Sequence, residues 1–597
     1  MSSPSPSPTE EYTHRLQARE QRVRRFEKIH LRLGNLRLLL VAFTFVVLWE
    51  SFERAALSGW WSLLPAAFFV AAVVIHAKVL RQRSLAERAA DVYRKGLARI
   101  ADRWVGTGPE GEPVDTSKSL YAKDLDLFGR GSVFQLLSQA RTRMGEETLA
   151  HWLLAFPPLP EIMARQAAVA ELRDRLDLRE DIAVLGEGVR IEVNVGDLSK
   201  WAETPNHLPP ILRWLCPLLA LAAIATAILW GAGGQKFPFF TIVLLEGIVF
   251  ALVQRRVKEV LHSAQHTFEG VQPLAPLLKR LESETFSAAR LQTIRDTLSS
   301  PTPGASRALR RFSTIIQCIY ALDNQIFRLF DIPLMYSIQI ACAGETWRAK
   351  YGIALRSWFN SIGELEALLS LAGYSYDHPQ DPFPQFVDET QRFSATQLGH
   401  PLIPAAKCIR NDVGLSKETR LLLISGSNMS GKSTLLRTIG VNTVFAMIGA
   451  PVRAQRLQMT CLELGASILV NDSLLEGSSR FYAEINRLRD ICAFAREERP
   501  LLFLLDELLQ GTNSHDRLIG AEGVVRTLID AGAIGLISTH DLALTQIGSR
   551  WPGEVRNMHF QDDVIEGKMS FSFKLNDGVV TKNNGLELMR LIGLRVT

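Results

Sequence analysis

Four long apolar stretches stand out in a chain that otherwise mixes apolar and charged positions. They cover residues 38–49, 60–77, 214–233 and 237–253. The third stretch carries no charge and the fourth carries one acid, Glu246. As helices, the last three are long enough to cross about 30 Å of hydrocarbon, and the first becomes so if Arg37 and Glu50 reach the two interfaces. The pattern predicts transmembrane hairpins over residues 31–83 and 207–256, and a buried core helix is the alternative for the first stretch alone.

Basic side chains flank both hairpins on the same side. Those before the first, after the second and after the fourth stretch include Arg15, Arg19, Arg22, Arg24, Arg25, Lys28, Lys78, Arg81, Arg83, Arg88, Arg255, Arg256 and Lys258. The turns inside the hairpins hold only Arg54 and Lys236. Because arginine and lysine stay on the cytoplasmic side, we predict a multi-pass protein of the cytoplasmic (inner) membrane whose soluble part faces the cytoplasm. Residues 1–30 are predicted to form a basic, partly disordered tail.

The periodicity of the remaining chain changes near residue 384. Residues 84–206 and 257–383 have helical spacing of apolar positions and are predicted to be the two parts of a helical core or lever. Short apolar runs then alternate with helical stretches over residues 384–597. The predicted fold is therefore multidomain, with an α-helical region that carries four transmembrane helices, followed by an α/β domain.

Composition agrees with this division. A chain of 597 residues can hold several domains, and 47% hydrophobic residues with a mean hydropathy of +0.07 suit a protein with four spans. The net charge of +5 is largely juxtamembrane, so it favours contact with anionic lipid at least as much as with nucleic acid. The six cysteines form no C-x-x-C pair and are interpreted as reduced thiols rather than disulfides or zinc ligands.

One glycine-rich segment carries the strongest chemical signal. It consists of Gly426, Ser427, Asn428, Met429, Ser430, Gly431, Lys432, Ser433 and Thr434, a G-x-x-x-x-G-K-S pattern. An apolar run precedes it and a helical pattern follows, so backbone N–H groups at this turn can surround phosphate oxygens. Lys432 would reach the β- and γ-phosphates of ATP, and the Ser433 hydroxyl would hold Mg²⁺. A chance glycine-rich turn is the alternative, and the flanking pattern weighs against it.

Two later strand ends supply partners for this segment. The apolar run 501–505 ends in Asp506 and Glu507, and the run 534–538 leads to His540. Asp506 would bind Mg²⁺, Glu507 would polarise the attacking water, and His540 would contact the γ-phosphate. In isolation, two acids could be a solvated strand end and one histidine could be structural. Because Asp506, Glu507 and His540 follow the glycine-rich segment in this order, the catalytic interpretation is favoured.

These residues resemble the MutS family of DNA mismatch-repair ATPases. The Asn428-Met429 pair is characteristic of that family, and residues 506–512 resemble its second nucleotide motif with the loop that follows. Residues 477–484 stand where the family has a signature loop that crosses a dimer interface. Further likeness extends over residues 399–402, 411–413 and 584–594, and more diffusely over residues 126–128 and 140–154.

The resemblance implies a P-loop (ABC-type) ATPase domain over residues 384–597. It further implies that ATP and Mg²⁺ are the cofactors, and that a homodimer forms composite ATP sites to which Ser479 contributes in trans. DNA binding and a role in mismatch repair are implied in the same way.

The sequence differs from the family pattern at positions that affect the predicted function. Arg480 replaces a common threonine of the signature loop, and membrane hairpins stand where the mismatch-recognition domain and the DNA clamp are expected. The sequence thus predicts a membrane-anchored MutS-like ATPase, with DNA possible as a partner but without mismatch selectivity. The alternative is an ATP-driven mechanical or signalling ATPase at the membrane with no mismatch recognition. A transporter-like ATPase also stays open, although Glu246 is the one acid within the apolar stretches that could mark a route.

Overall fold

The computed structural model of the protein describes residues 6–53, 59–111, 114–186, 200–268, 274–325, 330–388, 391–469, 480–496, 500–565 and 568–580. Ser479 and the family-like segment 584–594 lie outside these residues. The chain divides into two compact units. The first unit comprises Met1–Trp104, Arg175–Glu284 and Thr297–Trp358, and the second comprises Val105–Asp174, Thr285–Asp296 and Phe359–Thr597.

Helices dominate the chain before residue 384. In chain order the helices are α1 (Pro8–Phe52), α2 (Leu63–Ile100), α3 (Val133–Leu137), α4 (Arg143–Leu154), α5 (Leu159–Arg173), α6 (Leu176–Gly186), α7 (Leu212–Gly231), α8 (Phe237–Phe268), α9 (Leu274–Glu282), α10 (Ala289–Ser299), α11 (Ala305–Ala321), α12 (Asp331–Leu334), α13 (Tyr336–Asp377), α14 (Lys432–Ile448), α15 (Arg480–Phe494) and α16 (Ser514–Asp530). Helix α13 contributes residues up to Trp358 to the first unit and the rest to the second.

Helix α1 is continuous from Pro8, so the described part of the predicted tail is mainly helical. Ser7 caps it, with the Glu10 backbone N–H donating to the serine Oγ and the Glu10 carboxylate accepting from the Ser7 N–H. Tyr12 is almost completely buried, and its ring lies so close to Gly96 of α2 that a Cβ there would approach within 2.6 Å. Packing against α2 therefore orders a segment whose composition alone favoured disorder.

Four helices of the first unit have the length and composition to cross a membrane. They are Pro8–Phe52, Trp60–Ile100, Leu212–Gly231 and Phe237–Gln265. In each, at most 22% of the most apolar window is buried within the protein, so the apolar side chains face outward. Trp60, Leu218 and Leu252, for example, are 79%, 64% and 78% exposed. Surfaces of this kind are suited to lipid rather than to water.

Helices α7 and α8 pack against the segment before α13 in the first unit. Cys216 of α7 and Val257 of α8 belong to one apolar cluster with Met335, which precedes α13. Glu246, within the apolar part of α8, has a fully buried side chain. These contacts fix α7 and α8 as a hairpin joined to the helical region by a packed apolar base.

The α/β part of the second unit contains two mixed sheets. Its strands are β1 (Gln385–Phe386), β2 (Phe393–Leu398), β3 (Asn411–Leu415), β4 (Leu421–Ser425), β5 (Arg456–Met459), β6 (Glu463–Ser467), β7 (Leu501–Asp506), β8 (Ile534–Thr539), β9 (Val555–Ile565) and β10 (Lys568–Asp577). The smaller sheet has the order β1-β5-β2-β3 and the larger β10-β9-β4-β8-β7-β6. Strands β9, β4, β8, β7 and β6 run parallel, and β10 is antiparallel to β9.

The parallel strands of the larger sheet are apolar because both faces are covered. Every residue of β4 and β8 is buried, as are residues 501–505 of β7. On one face, Leu421, Phe503 and Ile537 share a core cluster with Val525 of α16 and Ile491 of α15. Continuous apolar strands are typical of sheets with helices on both faces. A helical region followed by an α/β region, as the sequence predicts, is confirmed.

The units depart from the predicted domain boundaries in one respect. Residues from Val105 to Asp174, which lie within the predicted helical core, pack with the α/β part in the second unit. The described residues between Ala101 and Ser132 form turns and irregular loops rather than helix. Leu125 from this segment is fully buried against Gly440 of α14, where a Cβ would lie 2.6 Å from the leucine side chain. Such long-range packing leaves no local trace in the sequence.

Candidate functional site

The predicted site residues lie at one edge of the larger sheet. Strands β4 and β7 both pair with β8, so β8 separates them. Residues at matching heights are Ser425 beside Thr539, and Ser538 beside Asp506. The carboxyl ends of these parallel strands therefore bring residues 426–434, called here the glycine loop, to the same edge as Asp506, Glu507 and His540. Ligands of open α/β sheets bind at this edge.

The glycine loop turns directly from β4 into α14. Gly431 caps the helix with a φ of 105°, a left-handed value that favours glycine. A Cβ at Gly426 would lie 2.9 Å from the Ser430 Oγ. Within the loop Met429 has a φ of 71°, and its side chain is 86% exposed. The first backbone N–H groups of α14 thus face the loop, where the helix dipole favours an anion.

Lys432, the first residue of α14, is only 4% exposed. Its Nζ donates to the backbone oxygens of Gly426 at 2.9 Å and Ser427 at 2.8 Å. Burial lowers the pKa of Lys432, and the negative charges of Glu507, Asp506 and Asp562 act against that shift. The ammonium group is therefore hydrogen-bonded to the glycine loop and influenced by the charges of three carboxylates.

Asp506 and Glu507 are fixed by β8. The Ser538 hydroxyl donates to the Asp506 carboxylate, and the Glu507 backbone N–H donates to the Ser538 carbonyl at 3.1 Å. Glu507 has a φ of 51°, which is uncommon for a residue with a side chain. Conformations of this kind concentrate at functional sites, because only strong surrounding contacts maintain them. As a result, the two consecutive carboxylates make different contacts: Asp506 contacts Ser538, and Glu507 contacts His540.

His540 and Gln510 both contact the Glu507 carboxylate. The His540 Nδ1 is 3.4 Å from Glu507 Oε1, and the Gln510 amide donates to the other carboxylate oxygen. The Gln510 amide nitrogen also lies 3.5 Å from the His540 Nδ1. Glu507 is about one quarter exposed and His540 nearly half, so both reach solvent. A carboxylate held in this way can orient and polarise a water molecule.

Several residues that stabilise the site were not predicted from the sequence. Glu484 of α15 is buried and accepts from the Leu509 N–H at 2.6 Å. Arg517 of α16 donates to the carbonyls of Leu509 and Thr512, each at 3.2 Å, and so braces the loop that follows Glu507. Asp562 is buried on β9. Each is one of several charged residues in its helix or strand, so the sequence carries no signal that singles it out.

The hydroxyl and carboxylate groups at this edge of the larger sheet fit a nucleotide phosphate and a magnesium ion. The Ser427 and Ser430 hydroxyls are buried, and neither has a hydrogen-bond partner within the described residues. Ser433 on the first turn of α14 is half-buried, and Asp506 offers a carboxylate. In the described part of the chain, no three His, Cys, Asp or Glu side chains form a metal cage. Mg²⁺ normally needs no such cage, since one or two protein oxygens, phosphates and water complete its shell.

The predicted trans contact cannot be placed at this edge. Ser479 lies outside the described residues, and Arg480 is the first described residue after the gap, at the start of α15. Asn428 and Thr434 are exposed members of the glycine loop. The roles of the site residues stay predictions, although the fold gathers Lys432, Asp506, Glu507 and His540.

Comparison with known proteins agrees with the site's location. Residues 422–596 match the family described as MutS domain V. The DNA mismatch repair protein MSH3 of Phaeosphaeria nodorum is 31% identical over 342 residues, which is 54% of this chain and 28% of that protein. The DNA mismatch repair protein MutS of Geobacillus kaustophilus is 32% identical over 271 residues, covering 44% of this chain and 29% of that protein. The chain thus matches less than a third of the length of these relatives.

Proposed function

Because this chain belongs to the MutS family, we propose that it binds ATP with Mg²⁺ and hydrolyses it at the carboxyl edge of the larger sheet. The observation that carries the proposal is the convergence of the glycine loop and Lys432 with the Glu507–His540 pair. Mg²⁺-dependent phosphate release from ATP by the solubilised full-length protein tests it. Release no faster than spontaneous hydrolysis, in a preparation that retains its fold, contradicts it.

In this proposal, different side chains and backbone groups have different roles in ATP binding and hydrolysis. The glycine-loop N–H groups and Lys432 bind the phosphates and stabilise the charge that develops on the transferred phosphoryl group. Ser433 and Asp506 hold Mg²⁺, which neutralises phosphate charge when bound. Glu507 orients and polarises the attacking water, with His540 and Gln510 fixing its carboxylate. His540 is the side chain that we assign to the γ-phosphate.

We also propose that the active assembly is a homodimer with composite ATP sites. The support is the family relationship together with the position of residues 477–484 immediately before and within the start of α15. Ser479 then approaches the nucleotide of the partner subunit. Glu484, by holding the Leu509 N–H, links the same segment to the loop after Glu507.

Membrane anchoring is the second part of the proposal. The four apolar helices support insertion as two hairpins, and the basic flanks support an ATPase domain that faces the cytoplasm from the inner membrane. A fully soluble protein would leave Trp60, Leu218 and Leu252 in water. The burial of these surfaces by lipid removes that cost.

Topology is tested by labelling a cysteine on each side of the membrane. Lys236→Cys lies in the predicted outer turn, and Lys258→Cys lies in the predicted inner flank, and both side chains are exposed. In intact spheroplasts, a membrane-impermeant maleimide is expected to label the first variant but not the second, and added protease is expected to spare residues 384–597. Permeabilisation should expose both sites and the domain. Labelling of Lys258→Cys alone in intact spheroplasts would reverse the orientation.

DNA binding is proposed only as a sequence-independent and pairing-independent interaction. In the family, long helices leave the core and reach a clamp that grips DNA, whereas here the corresponding helices are α7 and α8. Their outer faces carry Trp214, Leu244 and other exposed apolar residues that cannot pair with phosphates. Mismatch selection needs an element that enters and kinks the duplex, because backbone contacts carry no pairing information.

We therefore expect equal affinity for paired and mismatched duplexes. The two affinities are measured by titrating the solubilised protein, at fixed salt, with a homoduplex and with a single-mismatch heteroduplex of the same length. Any binding should weaken steeply as the salt concentration rises. A preference for the mismatch above about tenfold, or ~1.4 kcal/mol, contradicts the expectation.

An ATP-driven mechanical or signalling role at the membrane is the second candidate function. The same observation favours it, since the helices expected to hold DNA are apolar on the outside. ATP hydrolysis without detectable binding to either duplex at low salt would select this candidate. Salt-dependent duplex binding that alters the hydrolysis rate would select the DNA-linked role.

A further inference from the structure

The first unit contains a cavity of about 810 Å³ that has no part in the nucleotide site. Five helices form its wall. Most of the lining residues belong to α1, α2, α6 and α9, and Arg310 belongs to α11. The volume is typical of pockets that hold a small molecule.

The wall of this basic cavity carries a clear excess of positive charge. Its cationic side chains are Arg19, Arg22, Arg25, Lys279, Arg280 and Arg310, and its acids are Glu180 and Asp181. Both acids are already paired. Glu180 receives two hydrogen bonds from Arg19, at 2.8 and 3.0 Å, and Asp181 receives one from Arg280 at 2.8 Å.

Four cations are left without an anionic partner among the described residues: Arg22, Arg25, Lys279 and Arg310. They come from three different helices, so the cluster is not simply the solvated face of one helix. Glu180 cannot neutralise these four cations, because it is buried and also accepts a hydrogen bond from the Tyr93 hydroxyl. Like charges held around one concavity repel each other, and a bound anion removes that repulsion. Any such ligand would stabilise the fold by mass action.

The rest of the wall is mostly apolar and lies close to the predicted membrane. Phe26, Leu85 and Val184 are among the apolar side chains that line the cavity. On α2, Gln82 at the cavity follows Ala77, the end of the predicted span, by about 7.5 Å of helix rise. Arginine is suited to phosphate because its planar guanidinium group can donate two hydrogen bonds to it. An apolar wall suits a ligand that also has an uncharged, apolar portion.

We propose that the basic cavity binds a phosphate-bearing anionic compound through Arg22, Arg25, Lys279 and Arg310. The phosphate is held by these four cations, and the apolar portion of the ligand packs on Phe26 and Leu85. The source is either the headgroup of an anionic phospholipid that enters from the adjacent membrane or a soluble phosphorylated compound. The proposal does not depend on ATP hydrolysis.

Native mass spectrometry of the solubilised full-length protein can count the bound molecules. Dihexanoyl phosphatidic acid serves as the lipid probe and inorganic pyrophosphate as the soluble probe. We expect Arg25→Gln and Lys279→Gln each to weaken binding of at least one probe about fivefold, since one cation near a phosphate contributes about that factor. The double variant is expected to weaken it about 25-fold. Binding at the glycine loop is common to all variants and cancels in the comparison.

Arg24→Gln and Arg307→Gln are the matched controls, because these exposed arginines lie on α1 and α11 but do not line the cavity. Each should change binding less than twofold. Cavity-dependent binding of phosphatidic acid alone assigns the site to lipid, and cavity-dependent binding of pyrophosphate assigns it to a soluble phosphate. Binding of both probes that is absent or unchanged in the cavity variants, or an equal loss in the control variants, overturns the proposal. Melting temperatures without probe should be equal or higher in the cavity variants, which separates lost binding from lost fold.

Discussion

Lys432→Ala is expected to abolish ATP binding, whereas Glu507→Gln is expected to retain binding and lose turnover. The Lys432 ammonium group lies where the glycine loop meets the charges of Asp506, Glu507 and Asp562, so its removal takes away the cation that the phosphates require. Glu507 acts on water rather than on the bound phosphates. Loss of a positioned base costs about 10²- to 10⁴-fold in rate. Binding of a fluorescent ATP analogue and phosphate release, measured on the same preparations, distinguish the two effects.

Lys417→Ala and Glu418→Gln are matched controls for these changes, because both residues are exposed in the turn between β3 and β4. Both controls should bind and hydrolyse ATP as the unsubstituted protein does. Melting temperatures separate loss of the Lys432 cation from loss of the loop that it stabilises. Unchanged turnover in Glu507→Gln would remove that residue from its assigned role. Unchanged nucleotide affinity in Lys432→Ala would remove the glycine loop from phosphate binding.

The elements whose signals are local could be predicted from the sequence. Each apolar stretch can be recognised within one short segment of the sequence. The helix Leu212–Gly231 covers most of the predicted span 214–233, and the helix Phe237–Gln265 contains the predicted span 237–253. The glycine loop is likewise recognisable because its glycines, flanking strand and following helix are contiguous. Asp506 ends the apolar strand β7 and His540 follows the buried strand β8, and the parallel arrangement of β4, β8 and β7 brings those strand ends together.

The features that depend on tertiary contacts could not be predicted. The basic start of α1 is helical because Tyr12 is buried against α2, which no pattern within residues 1–30 indicates. The loop after β7 is held by Glu484 of α15, which accepts from the Leu509 N–H and lies 25 residues earlier in the chain. Pairings of this kind join residues far apart in the chain, and a single sequence gives the chemistry of each partner but not the identity of the other.

Asp124 is the strongest example of such a hidden contact within the second unit. It lies in the irregular segment before α3, and its side chain is only 4% exposed. One carboxylate oxygen accepts from the N–H groups of Ile468 and Leu469, at 2.6 and 2.8 Å, just after β6. The other accepts from Arg487 of α15 at 3.0 Å. This one side chain therefore ties three separate parts of the second unit together.

We expect Asp124→Asn to destabilise the second unit strongly. The amide has the same shape, but it sets an N–H group against either Arg487 or the two backbone donors and removes the charge that Arg487 requires. Breaking a buried ion pair costs about 3 to 5 kcal/mol, and the partial exposure of Arg487 reduces this to roughly 2 to 4 kcal/mol. A melting transition lowered by at least about 5 °C in the full-length protein is the expected result.

Asp126→Asn is the matched control, since it makes the same chemical change two residues later in the same segment. Asp126 pairs with Arg437 at 2.8 Å but is about half exposed, and exposed ion pairs contribute only about 0 to 1 kcal/mol. Asparagine also tolerates the left-handed backbone at this position, where φ is 51°, so the control adds no backbone strain. If the two variants melt at the same temperature, Asp124 does not hold the 105–174 segment to the α/β part. A selective loss in Asp124→Asn would show that a single buried carboxylate couples that segment to β6 and α15, the elements that flank residues 470–479.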